Sequence, residues 1–403
     1  MKIKNQDLDL LLFFAAFLLC VIGVFLIYSA KHNSSSPFEQ TFYLKQIFWI
    51  FFGIIIAGIL FFIPLRFHDI FSYVYYEIGI ALLLALFIVG SSRWFSFGPF
   101  TFQPSELLKV AFVLALARFL TYSKRSIYSF SWISIALFFV LFPFLLVLRQ
   151  PDLGTSLVFL FVFFVMLFWS GVPILYLALI VAPLFSLICA LHPHILIWAI
   201  FFLLLILLLY HLRPNFLFSM ASLFTNLAVG SIAQLFWNNL HQYQRNRILV
   251  FLDPGVDPYG AGYQVIQSKV AIGSGGLFGK GFLHGTQTKL DFLPAQHNDF
   301  VFSVLGEEFG FLGAIILIIL FSFIIFKGIQ IARKARNTFA SYVAIGISSI
   351  FAFQMVVNIG MALGILPVTG LPLPFVSYGG SSMIAFWVLM GLLLAIQSKW
   401  YEY

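Results

Sequence analysis

Uninterrupted apolar runs of roughly 17 to 25 residues recur along nearly the whole chain, separated by short polar stretches. A bilayer core of about 30 Å asks for runs of that length in a spanning helix. They do not alternate polar with apolar residues, so they do not read as the strands of a membrane barrel. The pattern places helices near 8–29, 43–63, 71–90, 105–121, 132–148, 155–170, 173–191, 194–212, 216–238, 300–326, 339–360 and 376–397. That is about twelve spans, with both ends of the chain on one side of a membrane. The first is longer than a signal-peptide core, lacks a small-residue cleavage site and reads as an uncleaved anchor. The least regular stretch is 171–238, where Pro193 interrupts two spans and the third is weakly apolar. One long polar segment remains, 239–299, and soluble chemistry concentrates there.

Composition sharpens this into an all-α polytopic membrane protein. A mean hydropathy of +1.04, with 62% hydrophobic and 9% charged residues, excludes both a water-soluble globule and a disordered chain. Residues 1–403 read as a single integral membrane domain, with no solenoid repeat and no separate soluble unit. The formal charge of +8 calls for no nucleic acid, because basic loops set membrane topology and suit anionic lipid phosphates. With the amino terminus cytoplasmic, Lys2, Lys4, Arg66, Lys124, Arg125, Arg213, Lys327, Arg333, Lys334, Arg336 and Lys399 fall inside. Only Lys31, Lys45, Arg93 and Arg149 fall in the short outer loops. That bias puts both termini inside and the 239–299 loop outside. Cys20 and Cys189 sit in apolar runs and read as packed thiols.

Several stretches carry more than hydropathy. In 93–109, RWFSFGPFTFQPSELLK, an outer loop leads into a helix starting near Ser105, a candidate N-cap. Glu106 and Lys109, at i and i+3, share a face there, either as a structural ion pair or as contacts to a lipid headgroup. Asp152, in the turn RQPDLGT, suits a helix cap more than direct catalysis. The long loop opens with Arg245 and Arg247, then the turn formers Asp253-Pro254 and Asp257-Pro258, then a glycine-rich run. That run is no Walker loop, since Ser274 takes the first glycine position and Gly281 follows Lys280. It is no dinucleotide fingerprint either, with Phe278 in the third glycine position. Lys269, Lys280 and Lys289 remain available to a pyrophosphate. Asp299 stands where the loop meets the next helix, either as an interfacial cap or as a partly desolvated base. His284, Asp291, His297 and Asp299 are too scattered to make a strong metal site. Last, 358–382 breaks a span with Pro367, Pro372, Pro374 and Gly379-Gly380, as the wall of a cavity does.

Asn358, Gly364-Ile365-Leu366-Pro367, Gly370 and the run Phe375-Val376-Ser377-Tyr378-Gly379-Gly380-Ser381-Ser382 resemble the signature of the SEDS (shape, elongation, division, sporulation) family. RWFSFGPFTFQPSELLK, QPDLGTS, FLDPGVDPYGAGYQVIQSKVAIGSGGLFGKG and LPAQHNDFVFSVLGEEFGFLG resemble it too, in the same order, leaving only the stretch near 171–238 uncovered. The HGTQT run at 284–288 and the following FLP are closer to the elongation branch than to the division branch. The resemblance implies a SEDS-like bundle of ten core transmembrane helices, here with an extra pair between Gly171 and His241. It also implies a peptidoglycan glycosyltransferase that polymerises lipid II outside the bacterial cytoplasmic membrane during elongation and cell-shape maintenance.

By the same resemblance, the essential aspartate of the family's His-Thr-Asp-Phe motif falls on Asp299, with Asn298 in place of threonine. Asp299 would be the general base on the acceptor sugar's 4-hydroxyl. Arg93, Lys109, Lys269 and Lys280 would offset charge on the leaving pyrophosphate, with Glu106, His297 and Ser377 completing the substrate-binding set. A divalent cation, Mg or Mn, would share that task, although the sequence shows no dedicated cage. The implied partners are a class B penicillin-binding protein, contacted mainly through membrane helices, and the membrane lipids themselves. Two other classes stand beside this: a lipid II flippase, with which Glu106, Lys109 and Asn358 are compatible, and a transporter of another fold. The transporter predicts matching halves, and no second YGGSS or QPSE stretch occurs.

Overall fold

The computed structural model describes residues 10–32, 36–90, 93–97, 100–123, 130–191, 195–239, 261–289 and 296–398. The chain runs through α1 (Leu10–Lys31), the short α2 (Pro37–Gln40), α3 (Phe42–Phe62) and α4 (Leu65–Val89). A two-stranded antiparallel hairpin, β1 (Phe95–Phe97) with β2 (Phe100–Phe102), leads into α5 (Pro104–Tyr122). Then come α6 (Phe130–Arg149), α7 (Leu153–Trp169), α8 (Ile174–Leu191), α9 (Ile195–Leu212) and α10 (Phe216–Asn239). The described part of the long loop holds α11 (Ala261–Gly275) and a single turn, α12 (Thr286–Lys289). α13 (Val301–Lys334), α14 (Thr338–Ala362) and α15 (Gly380–Ser398) close the chain. Among the described residues nine helices are long and apolar enough to cross a membrane. α7 and the Leu196–Leu212 part of α9 are shorter apolar helices, and α5 carries Glu106, Lys109 and Arg118. The molecule is a multi-pass, all-α membrane protein.

The innermost helices are α14 and α15, each 78% buried over its most apolar window, against 22% for α8 and 17% for α10. Lipid tails are as apolar as leucine, so the bundle coheres by close packing and internal polar contacts. Trp387 of α15 lies over Gly53 of α3, and Phe375, Phe386 and Trp387 cluster at ring separations of 5.5–5.6 Å. Cys20 is a free buried thiol within this core. The segment 171–238 folds as the three helices α8, α9 and α10, tied to one another by polar bonds. Trp198 donates to the Ser186 hydroxyl at 3.0 Å, and Ser186 donates to the Asn226 carbonyl at 2.9 Å.

Three helix ends differ from the hydropathy reading. α4 begins at Leu65 rather than near 71 because Asp69, the polar residue that ends the apolar run, is paired within the bundle to Arg118 at 3.1 Å. α13 continues through Lys327, Arg333 and Lys334, since a helix need not stop where its apolar run stops. α15 begins at Gly380, not near 376, because Leu371–Gly379 is given over to irregular backbone. Ser105 is not the cap of α5: Gln103 is, with Pro104 at the first helical position, where a missing N–H costs nothing.

α13 is broken at Gly310, whose φ of 63° and ψ of −156° lie in a region open essentially to glycine alone. A Cβ there would stand 2.4 Å from the Gly279 nitrogen. The break lets Lys280 and Gly281 amides bond the Glu307 and Glu308 carbonyls, and Phe311 and Leu312 amides bond Gly276 and Leu277. Replacing Gly310 by Ala is expected to cost about 1–3 kcal/mol from backbone strain alone. It should free the 276–289 segment, read as faster limited proteolysis there with the other helices still protected.

Candidate active site

The site is built where the end of the long loop meets the break between α14 and α15. The turn 296–300 delivers Asp299 two residues before the start of α13, next to its N-cap Phe300. Asn358, fully buried near the end of α14, donates its amide to the Asp299 carbonyl at 2.9 Å and to the Leu371 carbonyl at 2.8 Å. Ser377 donates to the Asn298 carbonyl at 2.6 Å and accepts from the Leu373 amide at 2.8 Å. The Tyr378 amide bonds the His297 carbonyl at 3.0 Å. Gln46, a lone amide side chain in the apolar α3, closes the frame by bonding the Ser377 carbonyl and the Gly379 amide. Phe42 stacks on Tyr378 at 4.6 Å, with the His297 ring 5.2 Å from Phe42. Asp299 is thus held by its backbone from two sides, which leaves its side chain for other work.

The carboxylate has a distinctive setting. Its Oδ1 is buried and makes no hydrogen bond among the described residues. Oδ2 faces Gly370, where a Cβ would lie at 3.5 Å and where φ is +71°. Burial first, and then the charge of Asp152, push the Asp299 carboxyl up to about 6, while Arg93 pulls the other way. Asp152 caps α7: it accepts from the Thr155 amide at 3.1 Å and hydroxyl at 3.0 Å, and from the Gln103 side-chain amide at 3.0 Å. Arg93 is fixed by the Gln150 carbonyl at 2.9 Å and by the Pro151 carbonyl. Asp152→Asn keeps the cap but removes the charge. It is therefore expected to lower the Asp299 pKa and move the acid limb of activity to lower pH, while Arg93→Gln moves it to higher pH. A pH–rate profile of each variant reads the direction.

The chain has clear relatives among known proteins. The sequence profile of the FtsW/RodA/SpoVE family, described as cell cycle proteins, matches residues 9–198 and 193–402. This chain belongs to that family. It is 38% identical over 387 residues to the peptidoglycan glycosyltransferase MrdB of Escherichia coli (strain K12), covering 94% of this chain and 90% of that protein. It is 34% identical over 439 residues to the peptidoglycan glycosyltransferase RodA of Treponema pallidum (strain Nichols), covering 99% and 100%. In a solved peptidoglycan synthase complex, studied for its coordination of polymerization and crosslinking, one chain superposes with a TM-score of 0.71 at 32% identity. That match covers 97% of this chain and 98% of the other.

Of the residues expected for a family site, Arg93, His297, Ser377 and Asp299 come together in the frame just described. Glu106 and Lys109 form a buried ion pair at 2.8 Å on the first turns of α5. Lys280 is paired to Glu307 at 2.8 Å and to the Thr286 hydroxyl at 2.8 Å. The same Glu307 carboxylate accepts from the Gln287 and Thr288 amides, so the HGTQT run is moored to α13. Ser29 holds the neighbouring Glu308. Lys269, exposed on α11, lies across Gly364 at the edge of the broken segment. Arg245, Arg247, Asp253-Pro254, Asp257-Pro258 and Asp291 lie outside the described residues. Among the described residues no three His, Cys, Asp or Glu side chains gather as ligands of one ion. With both Asp152 oxygens engaged, the residues here do not form a protein cage for a divalent cation. Gln46 and Gln103 belong to this site only through the fold, although a glutamine inside the apolar run of α3 is itself a sequence signal.

Proposed function

We propose that this chain is a peptidoglycan glycosyltransferase that polymerises lipid II during cell elongation, with Asp299 as general base. The observation that carries the reading is the Asp299 carboxylate itself: backbone-anchored, with one oxygen buried and without a hydrogen-bond partner among the described residues, and with a pKa lifted toward neutrality. A base of that strength is largely ionised at pH 7 yet basic enough to accept a proton from a sugar hydroxyl in the transition state. The acceptor's 4-hydroxyl loses its proton to Asp299 and attacks the donor's anomeric carbon. The bond to the lipid pyrophosphate breaks on the opposite side, so an α-linked donor yields a β-linked strand. Arg93 offsets charge close to Asp299, and Lys269, lying across Gly364 from α11, would add to it when the pyrophosphate is bound. His297 and Ser377 act mainly by fixing the backbone on either side of Asn298. In this reading both termini are in the bacterial cytoplasm, Asp299 lies at the outer face of the inner membrane, and a class B penicillin-binding protein cross-links the product.

The test is conversion of purified lipid II to glycan polymer on a gel, by the full-length protein with and without such a partner. Polymer from wild type and none from an equally folded Asp299→Ala variant is the expected result. Polymer from both would remove Asp299 as base. No polymer from either, with lipid II still scrambled across vesicles, would favour the flippase.

A further inference from the structure

The end of the bundle remote from Asp299 holds a polar cavity of about 380 Å³, between the start of α4, the end of α5 and the start of α14. Asn337 and Asn358 are 21 residues apart on and beside α14, so at 1.5 Å per residue the two sites are roughly 30 Å apart. The cavity is lined by Arg66, Asp69, Arg118, Tyr122 and Asn337, with Leu65, Ile70 and Phe339 as its apolar wall. Its charges are not balanced. Arg118 pairs with Asp69 Oδ1 at 3.1 Å, and Tyr122 donates to Asp69 Oδ2 at 2.6 Å. Both oxygens of the one carboxylate in the cavity are therefore engaged. Arg66 lines the same space and has no ion-pair or hydrogen-bond partner among the described residues. Among the described residues, a lining of two guanidiniums, one engaged carboxylate and a phenol carries a net positive charge and a fixed set of donors. The complement is a phosphate group, which a guanidinium binds through two parallel N–H donors. A free cation would be repelled by the two guanidiniums.

We infer that the cavity between Arg66 and Arg118 binds a phosphate-bearing anion, at a site separate from the Asp299 centre. Two sources share that chemistry: the phosphodiester headgroup of an anionic lipid, whose chains would run along the apolar wall, or a soluble phosphate.

The test is binding to the full-length protein in neutral detergent, titrated separately with phosphatidylglycerol, phosphatidylcholine and inorganic phosphate. Saturable binding of phosphatidylglycerol is expected, weakened about five- to tenfold by Arg66→Gln, the change expected from losing one interfacial charge. Arg66 is exposed and has no ion-pair or hydrogen-bond partner among the described residues, so the variant should melt as wild type does. Asp69→Asn, which keeps an acceptor for Arg118 but removes the negative charge, should tighten binding. A purely structural role for the cluster would not move the two variants in opposite directions. Binding of phosphatidylglycerol but not of inorganic phosphate assigns the lipid source, and binding of both assigns the phosphate itself. The proposal is overturned if no probe saturates, or if Arg66→Gln binds each probe as wild type does. Glycan polymerisation is a separate readout, so failure here leaves the Asp299 reading untouched.

Discussion

Asp299→Asn is expected to lower glycan polymerisation by roughly 10²- to 10⁴-fold, the range that a positioned general base contributes. The amide fits the same space and leaves the backbone bonds from Asn358, Ser377 and Tyr378 in place. It cannot accept a proton, so the loss belongs to chemistry and not to folding. The wild-type pH dependence follows from the same carboxyl. Polymerisation should rise as pH passes through about 6, where Asp299 ionises, and level off above. Stability should run the other way. The folded-state pKa of about 6 exceeds the reference of 3.8, so the folded chain holds this proton more tightly than the unfolded one. The associated stabilisation is complete below about pH 4 and is lost as pH rises through 6. Asp299→Asn removes the desolvated charge, and at pH 7.5 it should be more stable than wild type by ~1–3 kcal/mol. The two melting curves should converge below pH 4. Equal stability at both pH values would mean that the carboxylate is not desolvated.

Lys109→Ala is expected to destabilise the fold by about 3–5 kcal/mol, the cost of leaving a buried carboxylate without its partner. Lys109 and Glu106 are 1% and 3% exposed in their side chains and 2.8 Å apart. The Lys109 ammonium also lies 5.8 Å from the Phe386 ring, so the pair braces α5 against α15. Glu106→Ala should cost a similar amount. The double variant Glu106→Leu with Lys109→Met is the informative one, because replacing both partners by apolar residues is often neutral or stabilising. If it melts like wild type and still makes polymer, the pair is purely structural. If it melts like wild type and makes none, the charges serve the substrate, as the family resemblance implied. Thermal unfolding in detergent, followed by the lipid II assay, separates these outcomes.

The sequence by itself determined the class of molecule and much of the site. Length and apolarity of the runs sufficed for the helices, because a bilayer leaves a chain few other ways to satisfy its backbone. The blocks around QHND and YGGSS carried the family and pointed to Asp299, and QPDLGT carried the cap at Asp152, a local device read within four residues. What the sequence withheld was long-range. Periodicity could not tell that α4 begins at Leu65, because Asp69 is tolerated only through Arg118 and Tyr122, each about fifty residues away in the chain. Nor could it tell that Lys280 is paired to Glu307, or that Glu106 and Lys109 choose each other. The raised pKa of Asp299 is wholly a tertiary property. It arises from burial and from Asp152, which α7 brings near across 147 positions of sequence. Charges and donors act over a few ångströms of space, and which of them come that close is decided by helix packing, which no local pattern encodes.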